Sequence, residues 1–95
     1  MPSYTGLLTV ELYIPAVQSL KEKRKLIKSL LTRLRNKYNV SLAETDYNDK
    51  WQRSIISVVA VSNSPTALNS QLDKVINYCF REKEISVVEY SIQII

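Results

Sequence analysis

The sequence predicts one small α+β domain with elements in the order β-α-β-β-α-β. Four segments have the apolar pattern of strands, and two have the three-to-four-residue apolar spacing of amphipathic helices. No linker, repeat or low-complexity tract separates them. The chain has 95 residues, of which 45% are hydrophobic, as is typical of a single globular domain. We therefore assign residues 1–95 to one domain.

The first strand and the first helix meet near a proline. Residues 7–14 alternate apolar and polar side chains, as a half-buried strand does, and Pro15 ends the strand because it lacks an N–H donor. Ser19 and Glu22 have the spacing of a capping box, in which each side chain accepts a hydrogen bond from the other residue's amide. A helix is predicted from there to Tyr38. Its core-facing stripe consists of Leu20, Ile27, Leu31, Leu34 and Tyr38, widened by Leu26 and Leu30.

Two further strands are predicted at residues 40–46 and 51–61, paired as a hairpin. Asn48 and Asp49 tolerate positive φ, and if they form a two-residue turn, Glu44 faces Arg53 across the strands. The later of these two strands, within residues 51–61, is apolar on both faces, so both of its faces are expected to be covered.

A second helix and a last strand complete the chain. Ser64 and Pro65 provide a capping hydroxyl and a first-turn proline. The helix runs to Arg81 or Glu82, and residues 85–95 form the strand. The apolar face of this second helix is predicted to consist of Leu68, Leu72, Val75, Ile76, Cys79 and Phe80. Two interlocked right-handed β-α-β crossovers then give a ferredoxin-like fold: a four-stranded antiparallel sheet of order 4-1-3-2 with both helices on one face.

Composition excludes several classes of site. The chain has one cysteine, Cys79, and no histidine, so it offers neither an internal disulfide nor a zinc site, and a cytoplasmic location is expected. It shows no secretory signal and no apolar run long enough for a membrane span. No nucleophile set or glycine-rich phosphate loop is present. We expect a protein that is not an enzyme, with no catalytic residues, metal or cofactor.

The positive charge is concentrated in the first helix. Residues 19–38 hold eight basic side chains against one acid, a local charge of +7, while the other residues sum to −3. On a helical wheel, five of the basic residues share an arc of about 100° beside the apolar stripe, forming a ridge about 20 Å long. They are Lys21, Arg24, Lys25, Lys28 and Arg35. Such a ridge can follow a phosphate backbone; the alternative is a solvated helix face, and both interpretations stay open.

Other side chains are weaker candidates. Tyr47 and Trp51, with Arg53 beside them, could contact RNA at the sheet edge through base stacking and polar contacts, or could instead anchor the hairpin or a dimer contact. Glu11, Glu44 and Asp46 suggest an acid/base pair or a magnesium site. An ion pair between Glu44 and Arg53 is the simpler interpretation.

Several segments together resemble the YlxP-like family of small bacterial proteins. They span nearly the whole chain and depart from the family mainly at Tyr47 and Asn48 in the hairpin tip. The segments are Val10-Glu11-Leu12, Ser19-Leu20-Lys21-Glu22-Lys23-Arg24, Ala43-Glu44 with Asp46, Trp51-Gln52-Arg53, and Val61-Ser62-Asn63. The resemblance implies a ferredoxin-like fold and no established activity. It also implies genes encoded beside translation and ribosome-maturation factors, which suggests work near RNA.

Two functional hypotheses follow. In the first, the protein is a non-enzymatic RNA- or ribosome-associated protein that docks the basic ridge on phosphates. In the second, it is a homo-oligomeric regulatory or scaffold domain that binds a small ligand or a protein partner at its sheet face. A homodimer is expected in either case, because the sheet face opposite the helices has no cover from this chain.

Overall fold

The computed structural model describes residues 2–95 and contains the six predicted elements in the predicted order. The strands are β1 (Tyr4–Tyr13), β2 (Ser41–Asp46), β3 (Arg53–Ser62) and β4 (Ser86–Ile94). The helices are α1 (Leu20–Lys37) and α2 (Pro65–Phe80). The sheet order is β2-β3-β1-β4 with every neighbouring pair antiparallel. This confirms the predicted α+β fold and the predicted strand order.

One hydrophobic core lies between the sheet and the helices. Alternate residues of β1 and β3, such as Leu8, Val10 and Ile56, are fully buried. They pack with Leu30 and Leu34 of α1 and with the apolar side of α2 in one cluster. The two helices therefore cover the same face of the sheet and leave the other face open.

Gly6 lies against Leu68 and Leu72 of α2. A Cβ at this position would lie 2.6 Å from Cδ1 of Leu72 and 3.0 Å from Cγ of Leu68. Those distances are shorter than van der Waals contact, so a side chain at position 6 would force the side chains of Leu68 and Leu72 to shift. The single glycine of the chain is therefore required for packing, rather than for a turn.

Both helices begin where the capping residues predict. The Ser19 hydroxyl accepts from the Glu22 amide at 3.1 Å, and the Ser64 hydroxyl accepts from the Ala67 amide at 3.2 Å. One detail of the predicted capping box is wrong: the Glu22 carboxylate accepts from the Gln18 amide at 3.0 Å and not from that of Ser19. The chain entering α1 is therefore fixed one residue earlier than predicted.

The predicted hairpin register is wrong. Glu44 lies opposite Ile56 and not opposite Arg53, and the register shifts at a bulge between Glu44 and Asp46. The connection is longer than two residues, and its positive φ of 60° falls on Tyr47 and not on Asn48 or Asp49. Because side chains alternate along a strand, a change of register by three residues moves the partner to the opposite face of the sheet.

Phe80 is a second departure from the predicted core. It is 53% exposed and packs edge-to-face against Tyr90 of β4, with ring centroids 5.9 Å apart.

Within residues 2–95, neither helix is long and apolar enough to cross a membrane.

A candidate nucleic-acid interface along the first helix

The basic side chains of α1 fall into three groups, and the first contains only Lys23. Its side chain is fully buried, and Nζ lies 2.8 Å from Oε2 of Glu44 and donates to the Tyr47 carbonyl at 2.6 Å. The buried Ser54 hydroxyl donates to the same carboxylate oxygen at 2.6 Å. This network neutralises Lys23 and ties the first turns of α1 to the β2–β3 hairpin.

The second group lies on the flank of α1 that faces α2. Arg33 forms an ion pair with Glu82 and donates to the Tyr78 hydroxyl at 3.2 Å. The hydrogen bond to Glu82 is the main reason that the pKa of Arg33 rises above its ordinary value. The Lys37 ammonium lies 5.3 Å from the Tyr78 ring centroid, within range of a cation–π contact. These two basic side chains are engaged in contacts that join the helices.

The third group is the predicted ridge. Its five members are all exposed, and none forms an ion pair within the described part of the chain. They are Lys21, Arg24, Lys25, Lys28 and Arg35. Among these five side chains, only that of Arg35 makes a hydrogen bond within residues 2–95, from Nη2 to the Leu42 carbonyl at 3.4 Å. Arg24, Lys28 and Arg35 line one groove on the β2 flank of α1, whereas Lys25 lines another groove with Glu22, Leu26 and Glu84.

A shallow groove of about 260 Å³ runs along this flank, between α1 and β2. Arg24, Lys28 and Arg35 line it together with Leu31 and Glu44. Since β2 is an edge strand of the sheet, no other strand closes the groove from the side. A polyanion lying in the groove would meet cationic side chains of α1 along most of the length of the groove.

The hairpin loop carrying Trp51 lies near the first residues of this ridge. Gln52 donates from Nε2 to the Pro15 carbonyl at 3.1 Å, and its own carbonyl accepts from the Ile14 amide at 2.9 Å. These bonds hold the loop against the segment that precedes α1. Trp51, which the sequence predicted as the start of β3, lies in this loop and is 48% exposed.

Tyr47 and Arg53 are placed differently from Trp51. The Arg53 guanidinium lies 5.5 Å from the Tyr47 ring centroid and forms an ion pair with Glu11 on the open face of the sheet. Both side chains are half-buried. Arg53 therefore contacts both Tyr47 and Glu11, and Trp51 is the most exposed of the three predicted edge residues.

The acidic residues do not form one cluster. The predicted pair of Glu44 with Arg53 is wrong: Glu44 pairs with Lys23 on the helix side of the sheet, whereas Arg53 pairs with Glu11 on the open side. The different register of the hairpin is the physical reason. No group of three acidic, cysteine or histidine side chains in residues 2–95 has the geometry of a metal site.

Cys79 is buried in the core, as its position in the apolar stripe predicts. Burial raises the pKa of its thiol to about 12. The thiol is therefore protonated at neutral pH and does not act as a thiolate nucleophile.

Lys23 is one of the eight basic residues in the local charge of +7, and its burial was not predicted. A signal was present, because Lys23 lies on the same wheel position as the stripe of Ile27, Leu30 and Leu34. A lysine inside an apolar stripe requires a buried acidic partner. Glu44 was not recognised as that partner, because the predicted register put it on the other face.

Comparison with known proteins gives two matches. The family described as "Protein of unknown function (DUF503)" matches residues 5–92. The chain is also 41% identical to the uncharacterized protein YlxP of Bacillus subtilis (strain 168) over 73 residues, which cover 77% of this chain and 79% of that protein. These matches confirm the predicted YlxP-like resemblance.

Proposed function

The chain belongs to the DUF503 family of proteins of unknown function, and from its own side chains we propose a non-enzymatic, RNA-binding role. In this proposal the basic ridge of α1 lies along the phosphates of RNA, including RNA exposed on ribosomal particles. The lone buried cysteine agrees with the expected cytoplasmic location.

One observation carries the proposal: the ridge is charged, exposed and without ion pairs among residues 2–95, while the other basic residues of α1 are engaged. Lys23, Arg33 and Lys37 have partners in the fold. A face that served solubility alone would mix charges of both signs. Two acids beside the ridge have other partners, since Glu22 accepts from the Gln18 amide and Glu44, which lines the groove, pairs with Lys23.

Electrostatics determine what this surface binds. A ridge about 20 Å long faces four or five phosphates, so the logarithm of the association constant should fall with the logarithm of salt concentration with a slope of roughly −3 to −4.5. Phosphate contacts carry no sequence information. Binding by the ridge alone is therefore moderate in affinity and tolerant of sequence.

The exposed Trp51 favours single-stranded RNA over a duplex. Its loop lies by the segment that leads into α1, where bases of a strand bound along the ridge would be within reach. A base stacked on an aromatic ring contributes about 1–3 kcal/mol, and bases in a duplex are not available for such stacking. Replacing Trp51 by Ala should weaken binding of a single strand about tenfold and leave duplex binding unchanged.

Charge reversal of the ridge tests the proposal. The probe is a 20-nucleotide oligouridine, measured by fluorescence anisotropy from 50 to 300 mM salt, with a 20-base-pair RNA duplex as second probe. The ridge variant is Lys21→Glu, Lys25→Glu, Lys28→Glu. Its affinity should fall by at least two orders of magnitude and its salt slope should approach zero, because three phosphate contacts are replaced by repulsion.

A matched control separates a docking surface from total charge. Lys50, Lys74 and Lys83 are also exposed and lie outside the ridge, so their triple replacement by Glu changes the net charge equally. This control should lose less than tenfold in affinity. Equal losses in both triples, or unchanged co-sedimentation of the ridge triple with ribosomal particles, would remove the proposal.

A further inference from the structure

Exposed large hydrophobic side chains are concentrated along β4, at the opposite edge of the sheet from the basic ridge. Eight large hydrophobic side chains are exposed in the structure described, and five of them belong to β4, the residue after it or the end of α2 that packs on it. They are Phe80, Val88, Tyr90, Ile94 and Ile95. Such a concentration on one edge indicates a covered surface, since scattered single residues would need no explanation.

The outer edge of β4 also presents unpaired backbone groups. Thr5 and Ile95 exchange two hydrogen bonds, of 3.3 and 2.7 Å. In an antiparallel pair, hydrogen-bonded positions alternate with non-bonded ones. The backbone amides and carbonyls of Ser91 and Gln93 therefore also point toward β1, where the register places them opposite Thr9 and Leu7. The amides and carbonyls of Tyr90, Ile92 and Ile94 must therefore point away from the sheet.

This edge lacks the devices that usually prevent edge pairing. β4 is nine residues long, with one charged residue, Glu89, and no proline or lysine. The other edge strand, β2, has six residues, two of them acidic, and Arg35 of α1 donates to its Leu42 carbonyl. One edge is shielded by charge and by a helix, whereas the other is open.

We propose that the outer edge of β4 pairs antiparallel with β4 of a second copy of this chain. A strand with nearly no charge is complementary to itself in an antiparallel two-fold pair. Five half-exposed apolar side chains offer on the order of 500 Å² per copy, so two copies bury about 1,000 Å², the lower bound for a specific interface.

The open face of the sheet is a poorer surface for a second copy. A row of hydroxyls crosses its centre, where Thr45 and Ser57 are hydrogen-bonded at 2.8 Å and Ser57, Thr9 and Ser91 lie in register. Burying this row against a second copy would require partners for these hydroxyls. The dimer predicted from the doubly apolar β3 is therefore assigned to the β4 edge.

The β4 dimer has a defined arrangement. A two-fold axis perpendicular to the sheet is the symmetry that pairs identical strands antiparallel, and it keeps both helical layers on one side of a continuous eight-stranded sheet. Since α1 lies over the β2 edge, the two basic ridges stand at the far ends of the dimer. The dimer does not depend on RNA binding, and RNA binding does not depend on the dimer.

Hydrogen exchange tests this interface without a substitution. In the dimer the amides of Tyr90, Ile92 and Ile94 should be protected in a concentration-dependent manner, with at least tenfold slower exchange at 500 µM than at 5 µM. The amides of Ser91 and Gln93 should be protected at both concentrations, since they bond to β1 in the monomer. Rapid exchange of the first set at every concentration would overturn the proposal.

A matched pair of variants locates the interface. Val88→Lys places a charge on the β4 edge, and Val61→Lys places the same charge on the open face; the two residues are 54% and 64% exposed. Analytical ultracentrifugation should show a dimer for the native chain and for Val61→Lys, and at least a tenfold weaker dimer for Val88→Lys. A monomeric native chain, or a dimer disrupted only by Val61→Lys, would refute the β4 interface.

Discussion

The two flanks of α1 carry the same residue types and use them differently. On the α2 side, Arg33 and Lys37 meet Glu82 and Tyr78 and join the helices. On the β2 side and the outer face of α1, the five exposed residues of the ridge form no ion pair within residues 2–95. The difference lies in the neighbouring elements and not in the helix. A local charge of +7 thus overstates the charge that α1 can offer a ligand.

Lys23, which lies between the two flanks, is a basic residue of the same helix that is completely buried. It is fully buried with Glu44 and Ser54. Removing one member of a buried ion pair leaves the other charge without a partner, which typically costs 3–5 kcal/mol. The same residue type on the exposed flank contributes little to stability. Comparing lysines within one helix therefore tests the difference directly.

The largest effect is expected for Lys23→Met. The free energy of unfolding in urea should fall by about 3 kcal/mol, because Glu44 loses its counter-charge and the Tyr47 carbonyl loses a donor. Lys28→Met on the ridge is the matched control and should change stability by less than about 0.5 kcal/mol. Adding Glu44→Gln to Lys23→Met should recover part of the loss, since no buried charge remains. A loss below about 1 kcal/mol for Lys23→Met would mean that Lys23 reaches solvent.

A smaller effect is expected for the Arg33–Glu82 pair. Arg33 is 42% exposed at its side chain, so screening by water reduces the interaction, and a double-mutant cycle with alanine should give about 0.5 kcal/mol. The coupling should weaken further at 1 M salt. A coupling above 2 kcal/mol, unchanged by salt, would contradict the assignment of this pair to the exposed surface.

The fold and the ridge were predictable because both follow from local periodicity. Apolar spacing gave the elements, their order restricted the topology, and a helical wheel placed Arg24 and Lys28 on one face. The hairpin register was not predictable from local rules, because the positive φ falls on Tyr47 and a bulge follows Glu44. That register decides which face Glu44 occupies, so the burial of Lys23 was missed for the same reason.

The apolar patch was missed for a different reason. Phe80 and Tyr90 fit apolar patterns that normally indicate core positions, but the pattern does not show how far the core extends toward the edge of the sheet. β4 is the outermost strand, and α2 covers only part of it, so side chains near its free edge stay exposed. Periodicity identifies the side of an element that faces inward. It does not identify what lies beyond the last strand.

The last predicted effect has the opposite sign. Lys21 lies in the first turn of α1, where the partial positive charge of the helix terminus disfavours a cation. Lys21→Glu replaces that repulsion by attraction and places a carboxylate four residues before Lys25, which is the favourable order for an ion pair along a helix. The free energy of unfolding should rise by about 0.5 kcal/mol at low salt, and the gain should vanish at 1 M salt. The same variant should bind oligouridine more weakly, because a phosphate contact is lost. Stabilisation together with weaker binding would show that the ridge is maintained for a ligand and against helix stability; stabilisation with unchanged binding would place the phosphates away from this end of α1.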